Sequence, residues 1–288
     1  MKKKAIIFGA SYDGRRIFRY LKKKNIDAIF LDNDNSKHNK KFLGTKIYHP
    51  NRINKNYIGK KIYLGGRYMD EQNNQLLKIN KFSKCKIIKT NRWIYKPSQK
   101  EIKLKEIHLL KLLKYIFKIL GTYKKHLIAD TSTLLGILRK QDLANFSDLD
   151  FSINQKQINK VYRKLLEKNK KYKLQVKKQK KNFLGFKKGE ISQIIISEKC
   201  NLKLREPNIL DISAEKKRGK FFIKYDGTNF YSKVPSKYRV NFTNLFYKKI
   251  SFVAPQPLVN YIKFCYGRNW KIKAKKWKLT MSKRFVKI

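Results

Sequence analysis

The residues around which a reaction can be built are Asp148 and Asp150. From Asp148 to Ile153 polar and apolar residues alternate strictly, so Asp148, Asp150 and Ser152 share one face of a strand and Leu149, Phe151 and Ile153 the other. With the apolar face in a core, both carboxylates project from a rigid strand, their bases roughly 6–7 Å apart. Like charges this close repel unless a cation neutralises them. Mg²⁺ does so, because it accepts carboxylate oxygens together with substrate phosphates. The chain has only 19 Asp and Glu, so two on one strand face stand out; a solvated strand face is the alternative. Asp211 lies alone in the apolar run Ile209-Leu210-Asp211-Ile212, where an acid is costly unless it is paired, protonated, metal-bound or at an edge facing water. Upstream, Thr131, Ser132 and Thr133 follow Asp130 at the start of an apolar helical stretch that ends near Arg139. Hydroxyls and backbone N–H groups at a helix N-terminus suit phosphate, although such residues also cap ordinary helices.

These residues belong to the second of two parts. The strand of Asp148 follows a short apolar strand near Leu127–Ala129, which leads into the hydroxyl-rich turn. Before that, Glu101 to Leu120 has the spacing of a long helix, with Ile107, Leu110, Leu113, Phe117 and Leu120 on one side and lysines between. Such a cationic helix either packs on its own domain or lies on a membrane surface. The first part runs over residues 1–95, and Pro97 breaks regular structure in a linker over 96–103. Ala5–Phe8 reads as a buried strand, Arg15–Lys24 as a helix, Ile26–Leu31 as a second strand, Ile62–Gly66 as a third, Gln72–Asn80 as a helix and Lys86–Ile88 as a closing strand. Strand–helix alternation of this kind predicts a parallel, Rossmann-like α/β sheet. The first turn nearly matches the dinucleotide pattern: Gly9 and Gly14 are in place, and Ser11 stands where a glycine would let the backbone approach a pyrophosphate. Asp32 ends the second strand, where a ribose-binding acid would lie. A tight structural strand-to-helix turn explains the same residues.

Composition limits the alternatives. With 288 residues, of which 41% are hydrophobic and 13% aromatic, the chain can fill two cores and is not a disordered segment. The 72 Lys and Arg against 19 Asp and Glu give a net charge of +53, which attracts polyanions and anionic membrane surfaces. Lysines are spread through nearly every segment and no nucleic-acid-binding motif is present, so the charge reads as compositional bias rather than as a dedicated nucleic-acid role. Cys85, Cys200 and Cys265 are odd in number and far apart, which argues against a disulfide framework or a zinc site. With no long apolar run and no signal-peptide core, the expectation is a soluble, reduced, cytoplasmic protein.

Two resemblances sharpen this reading. The stretch Phe8-Gly9-Ala10-Ser11, Leu31-Asp32-Asn33-Asp34 and Phe42-Leu43-Gly44-Thr45-Lys46-Ile47 with Pro50 resembles small Rossmann-like domains found beside sugar-modifying enzymes. The second part resembles the nucleotidyltransferase superfamily that includes polymerase β, and within it the LicD family, the group of fukutin and the bacterial phosphocholine transferases. The match runs in order from about Leu104 to Trp277: Asp130-Thr131-Ser132-Thr133-Leu134-Leu135-Gly136-Ile137-Leu138-Arg139, then Ser147-Asp148-Leu149-Asp150, then Leu210-Asp211-Ile212, then a proline-led segment from Pro255 ending in Tyr266-Gly267-Arg268-Asn269-Trp270. Ser132 replaces a family glycine, and Phe146 and Ser147 replace further acids.

The resemblance implies an α+β nucleotidyltransferase fold over 104–288. It also implies transfer of a phosphorylated alcohol from a CDP-linked donor to a hydroxyl of a glycan or lipid-linked oligosaccharide. In that reading Asp148 and Asp150 hold Mg²⁺ or Mn²⁺. Asp211 completes the metal site or accepts the acceptor's proton. Thr131, Ser132 and Thr133 cradle phosphate, Arg139 pairs with phosphate or a carboxylate, and the basic surface keeps the enzyme near an anionic inner leaflet. The rivals are an NTP-dependent nucleotidyltransferase, an RNA-binding protein and, weakened by Ser11, a dehydrogenase.

Overall fold

The computed structural model describes residues 4–52, 60–65, 69–79, 82, 84–90, 94–146, 148–198, 207–225, 230–272 and 283–287. Expectations that touch Gly66, Asn80, Ser147, Cys200 and Trp277 lie outside them. The chain divides into two compact units, the boundary falling between Ser98 and Gln99.

The first unit is a parallel α/β sheet. Its elements are β1 (Lys4–Phe8), α1 (Tyr12–Lys23), β2 (Asp27–Leu31), β3 (Lys41–Phe42), β4 (Thr45–Tyr48), β5 (Lys61–Leu64), α2 (Met69–Leu77) and β6 (Lys86–Lys89). The strand order is β3-β4-β2-β1-β5-β6, parallel except for the short β3. The central strands are apolar without alternation because both faces are covered. Ile7 and Phe30 pack with Ile17, Phe18 and Leu21 of α1, whereas Ile6, Phe8, Ile29 and Leu31 pack with Leu76 and Phe82 on the other face. Strand β4 carries no clear sequence signal, since Thr45-Lys46-Ile47-Tyr48 is short and polar.

The second unit opens with α3 (Gln99–Leu120), which begins inside the stretch assigned as linker, and continues through β7 (Ile128–Ala129), α4 (Thr131–Leu138), β8 (Leu149–Asn154), α5 (Gln155–Lys168), β9 (Lys173–Lys178), β10 (Ile191–Ser197), β11 (Ile209–Arg218), β12 (Phe221–Tyr225), β13 (Phe230–Pro235), β14 (Phe242–Tyr247), β15 (Ile250–Pro255), α6 (Leu258–Tyr266) and β16 (Phe285–Lys287). The strands form one mixed sheet in the order β14-β15-β7-β8-β11-β12-β13-β16, with β10 also on β11 and β9 on β10. β8 and β11 are parallel neighbours, with Asp150 opposite Asp211 and Ser152 opposite Ser213. The core gathers Leu112, Leu113 and Ile116 of α3, Phe151 and Ile153 of β8, Ile194 and Ile196 of β10 and Phe252 of β15. The buried side of α3 is Leu109, Leu112, Leu113, Ile116 and Leu120; Ile107, expected inside, is 51% exposed. An apolar residue on most turns made the stripe ambiguous by one position. The helix packs in its own unit, and no described helix is long and apolar enough to cross a membrane.

Candidate functional site

Asp148, Asp150 and Asp211 converge, each offering a carboxylate oxygen within 4.8 Å of the others. Asp148 and Asp150 share a face because they are two residues apart at the start of β8. Asp211 joins them because the parallel register sets it directly beside Asp150. All three are partly buried. Gln193 on β10 donates to Asp211 Oδ2, and the Ser213 hydroxyl donates to its Oδ1 at 3.1 Å. Burial, then the charge of Asp150 and more weakly that of Asp148, push the Asp211 carboxyl up to about 7, against the opposing pull of Lys224 and Ser213. Carboxylates forced this close are deficient in positive charge. Three anionic oxygens at this spacing fit a hard, oxygen-ligated divalent cation, and a soft thiolate-type site is ruled out by the donor set.

The turn before α4 serves these acids. The Thr131 and Ser132 hydroxyls both donate to Asp150 Oδ2, the latter at 2.6 Å, and the Ser132 backbone N–H lies 3.2 Å from the same oxygen. The two hydroxyls orient Asp150. Thr131 holds φ 28°, a backbone region that a β-branched residue rarely adopts, fixed by its bonds to Asp130 and Asp150. Thr133 is placed differently from the expectation. It is fully buried within α4, and no hydrogen bond joins its hydroxyl to the carboxylates. Arg139 also departs from its expected role: its guanidinium donates to the backbone carbonyls of Trp270 and Ile272, tying the end of α4 to the segment after α6.

Sequence reasoning missed the ionic layer beneath the site. Asp130 is fully buried and accepts hydrogen bonds from Arg284, Tyr261 and Ser152, while Lys224 and Arg239 each approach its Oδ2 to 3.7 Å. Burial alone would raise its pKa, but Arg284, then Lys224 and Arg239, overcome this and hold the carboxyl well below the usual range. Arg239 in turn pairs with buried Glu215 at 2.7 Å. Asp130 caps α4 and takes the Asp150 carbonyl on its own N–H at 3.0 Å, so this layer sets the position of the turn and of β8 together. The alternation Asp211-Ile212-Ser213-Ala214-Glu215 carried a signal for Ser213 and Glu215. Arg284, 154 residues from Asp130, carried none.

In the first unit, Gly9, Ser11 and Asp32 line a cavity of about 520 Å³ with Phe8, Asp13, Asn33, Gly65, Glu71, Gln72 and Gln75. Gly9 has φ 103°, and a Cβ on Gly14 would stand 1.9 Å from the Gly9 carbonyl oxygen, so both glycines are required by the turn itself. Ser11 caps α1, its hydroxyl 3.4 Å from the Gly14 N–H. Asp32 is engaged internally: it accepts from the backbone N–H groups of Ala10 and Asp34 and from Lys37. Its Oδ2 braces the turn after β1 through Ala10, and its Oδ1 the loop after β2 through Asp34.

No family model matches the chain, and no curated protein matches it. Among solved structures it is similar to UDP-D-quinovosamine 4-dehydrogenase from Vibrio fischeri, at 20% identity over 36% of this chain and 85% of that one, TM-score 0.25. It is also similar to the Rex-family repressor RSP in complex with beta-NADH, at 13% identity over 39% and 64%, TM-score 0.26. A third likeness is to GenD2 from gentamicin A biosynthesis in complex with NAD, at 8% identity over 86% and 76%, TM-score 0.23. Scores this low carry no argument about function, so the site stands on its own geometry.

Proposed function

We propose that the chain is a divalent-cation-dependent transferase of the LicD type, with a nucleotidyltransferase-fold second unit, which moves a phosphorylated alcohol from a CDP-linked donor to a glycan hydroxyl. The observation that carries this reading is the convergence of Asp148, Asp150 and Asp211 from two parallel strands beside a hydroxyl-bearing helix start. Asp148 and Asp150 would hold Mg²⁺ or Mn²⁺. Bound there, the ion supplies charge neutralisation at the donor pyrophosphate and on departing CMP. Thr131 and Ser132 keep Asp150 aimed. Asp211, held by Gln193 and Ser213, completes the ligand set or takes the proton of the acceptor hydroxyl at its carboxylate. The acceptor oxygen forms the new bond to phosphorus, the bond to CMP breaks, and the hydroxyl proton leaves to the base.

The test is Asp148→Asn and Asp150→Asn, which keep shape and remove charge. With CDP-alcohols and Mg²⁺, each should slow transfer about a thousandfold, a loss of about 4 kcal/mol in the transition state, and abolish the Mg²⁺-dependent rise in melting temperature. The same substitutions in Asp211 separate its two roles: a retained metal response with lost turnover makes it the base. Release of pyrophosphate from an NTP, with no CMP from CDP-donors, would assign the site to nucleotidyl transfer instead.

A further inference from the structure

One edge of the large sheet is unusual for so lysine-rich a chain. β14 is the terminal strand of the order, and its residues alternate between half-buried and exposed. Phe242, Asn244 and Phe246 share the exposed face, Phe242 being 43% and Phe246 73% accessible; Val240, just before the strand, is 68% accessible. The register fixes which face this is. Asn244 lies opposite Val253 on β15, Val253 opposite Ile128 on β7, and Ile128 opposite Ser152 on β8. Paired residues point to the same side of a sheet, and Ser152 is two residues from Asp150. The exposed phenylalanines therefore lie on the same face of the sheet as the three carboxylates, three strand spacings from β8, or about 14 Å.

The surrounding charge selects the occupant. In sequence, the segment from Lys216 to the end that contains the hairpin has 20 Lys and Arg and a single acid, Asp226, a composition and not a map of what surrounds the hairpin. The turn of the β14–β15 hairpin is Lys248-Lys249; Lys248 pairs with Asp142 at 2.8 Å and Glu106 at 3.2 Å, while Lys249 and, before Val240, Lys237 stand exposed. A second copy of this chain would bring like charge to like charge. Aliphatic Val240 offers no π-face for a nucleotide base, whereas Val and Phe side chains ringed by lysines match an anionic bilayer interface. The outer backbone of an edge strand must stay hydrated, which limits entry to headgroup depth.

We propose that the β14–β15 hairpin docks the second unit on an anionic phospholipid surface through Val240, Phe242 and Phe246. The carboxylate-bearing face of the sheet then lies beside the headgroups. Resting on the transferase reading, this makes the acceptor a lipid-borne hydroxyl rather than a free sugar.

Cosedimentation of the full chain with vesicles of equal parts phosphatidylglycerol and phosphatidylcholine, and with phosphatidylcholine alone, tests it. The wild type should bind the anionic vesicles and not the neutral ones, less so as salt rises from about 50 to about 500 mM. Phe242→Ser with Phe246→Ser should lower partitioning about tenfold or more; Phe246→Ser alone, at the more exposed position, should lower it in part with the melting temperature nearly unchanged, whereas Phe242 also gives up some packing. Asp148→Asn should bind vesicles as the wild type does, so docking and catalysis fail independently. Equal binding by the double variant would reduce the contact to diffuse charge and overturn the proposal. So would displacement of the vesicles by single-stranded RNA whose affinity falls with the same two substitutions, which would make the row a base-stacking platform.

Discussion

Burial and the carboxylates of Asp150 and Asp148 beside it hold the Asp211 carboxyl above its ordinary range. Its folded pKa of about 7 stands above the ordinary carboxylate value near 3.8 that it takes when unfolded. Between those limits the unfolded chain has lost the proton that the folded chain keeps, so without metal its contribution to stability falls as pH rises from about 4 to about 7 and is level above. Melting measured in chelator across that range should decline in the wild type and decline less in Asp211→Asn; identical slopes would mean that Asp211 is ionised throughout. Added Mg²⁺ should oppose the decline, because the cation binds the ionised form. The Asp148/Asp150 pair was legible because a period-two alternation assigns faces without any tertiary knowledge. Arg139 and Thr133 were not, because a guanidinium or a hydroxyl has many uses: here Arg139 holds the Trp270 carbonyl and Thr133 is buried within α4.

At the scale of elements, the turn before α4 is tied to Arg284, the residue just before β16, by a buried ion pair. Arg284 and Asp130 are both fully buried, and removing the guanidinium would leave an anion at the start of α4 with only the more distant Lys224 and Arg239 to balance it. Arg284→Ala should therefore cost about 3–5 kcal/mol in denaturant unfolding, and Arg284→Lys distinctly less. A cost below about 1 kcal/mol would show that the remaining cations suffice. In the first unit the comparable weak point is the crossing of α1 over the β1 turn: Gly14→Ala forces a Cβ against the Gly9 carbonyl and should destabilise that unit while leaving any metal response of the second intact. Buried parallel strands such as Ala5–Phe8 could be read from the sequence because covering both faces makes them continuously apolar. Strands β9 and β14 could not. One face of each meets water, and a sequence such as Lys173-Leu174-Gln175-Val176-Lys177-Lys178 is polar enough to pass for a loop until its partner strand is known.

For the whole molecule, the two units divide the labour unevenly. Each has its own buried core, and every carboxylate, hydroxyl and buried ion pair of the candidate centre lies beyond Ser98. Among the described residues, the candidate cation cluster is assembled from elements of the second unit. A fragment of residues 99–288 should accordingly melt cooperatively and keep the Mg²⁺-dependent increment of the full chain, with the same half-saturating concentration, since ligand linkage depends only on affinity for the folded site. A fragment of residues 1–98 should show no such increment. Both measurements belong at moderate salt, because a net charge of +53 makes the compact state self-repelling at low ionic strength, and the melting temperature of the full chain should itself rise as salt is added. If the 99–288 fragment folds but needs far more Mg²⁺, the first unit contributes to the centre after all. If it fails to fold, the boundary at Ser98 cuts through a shared core.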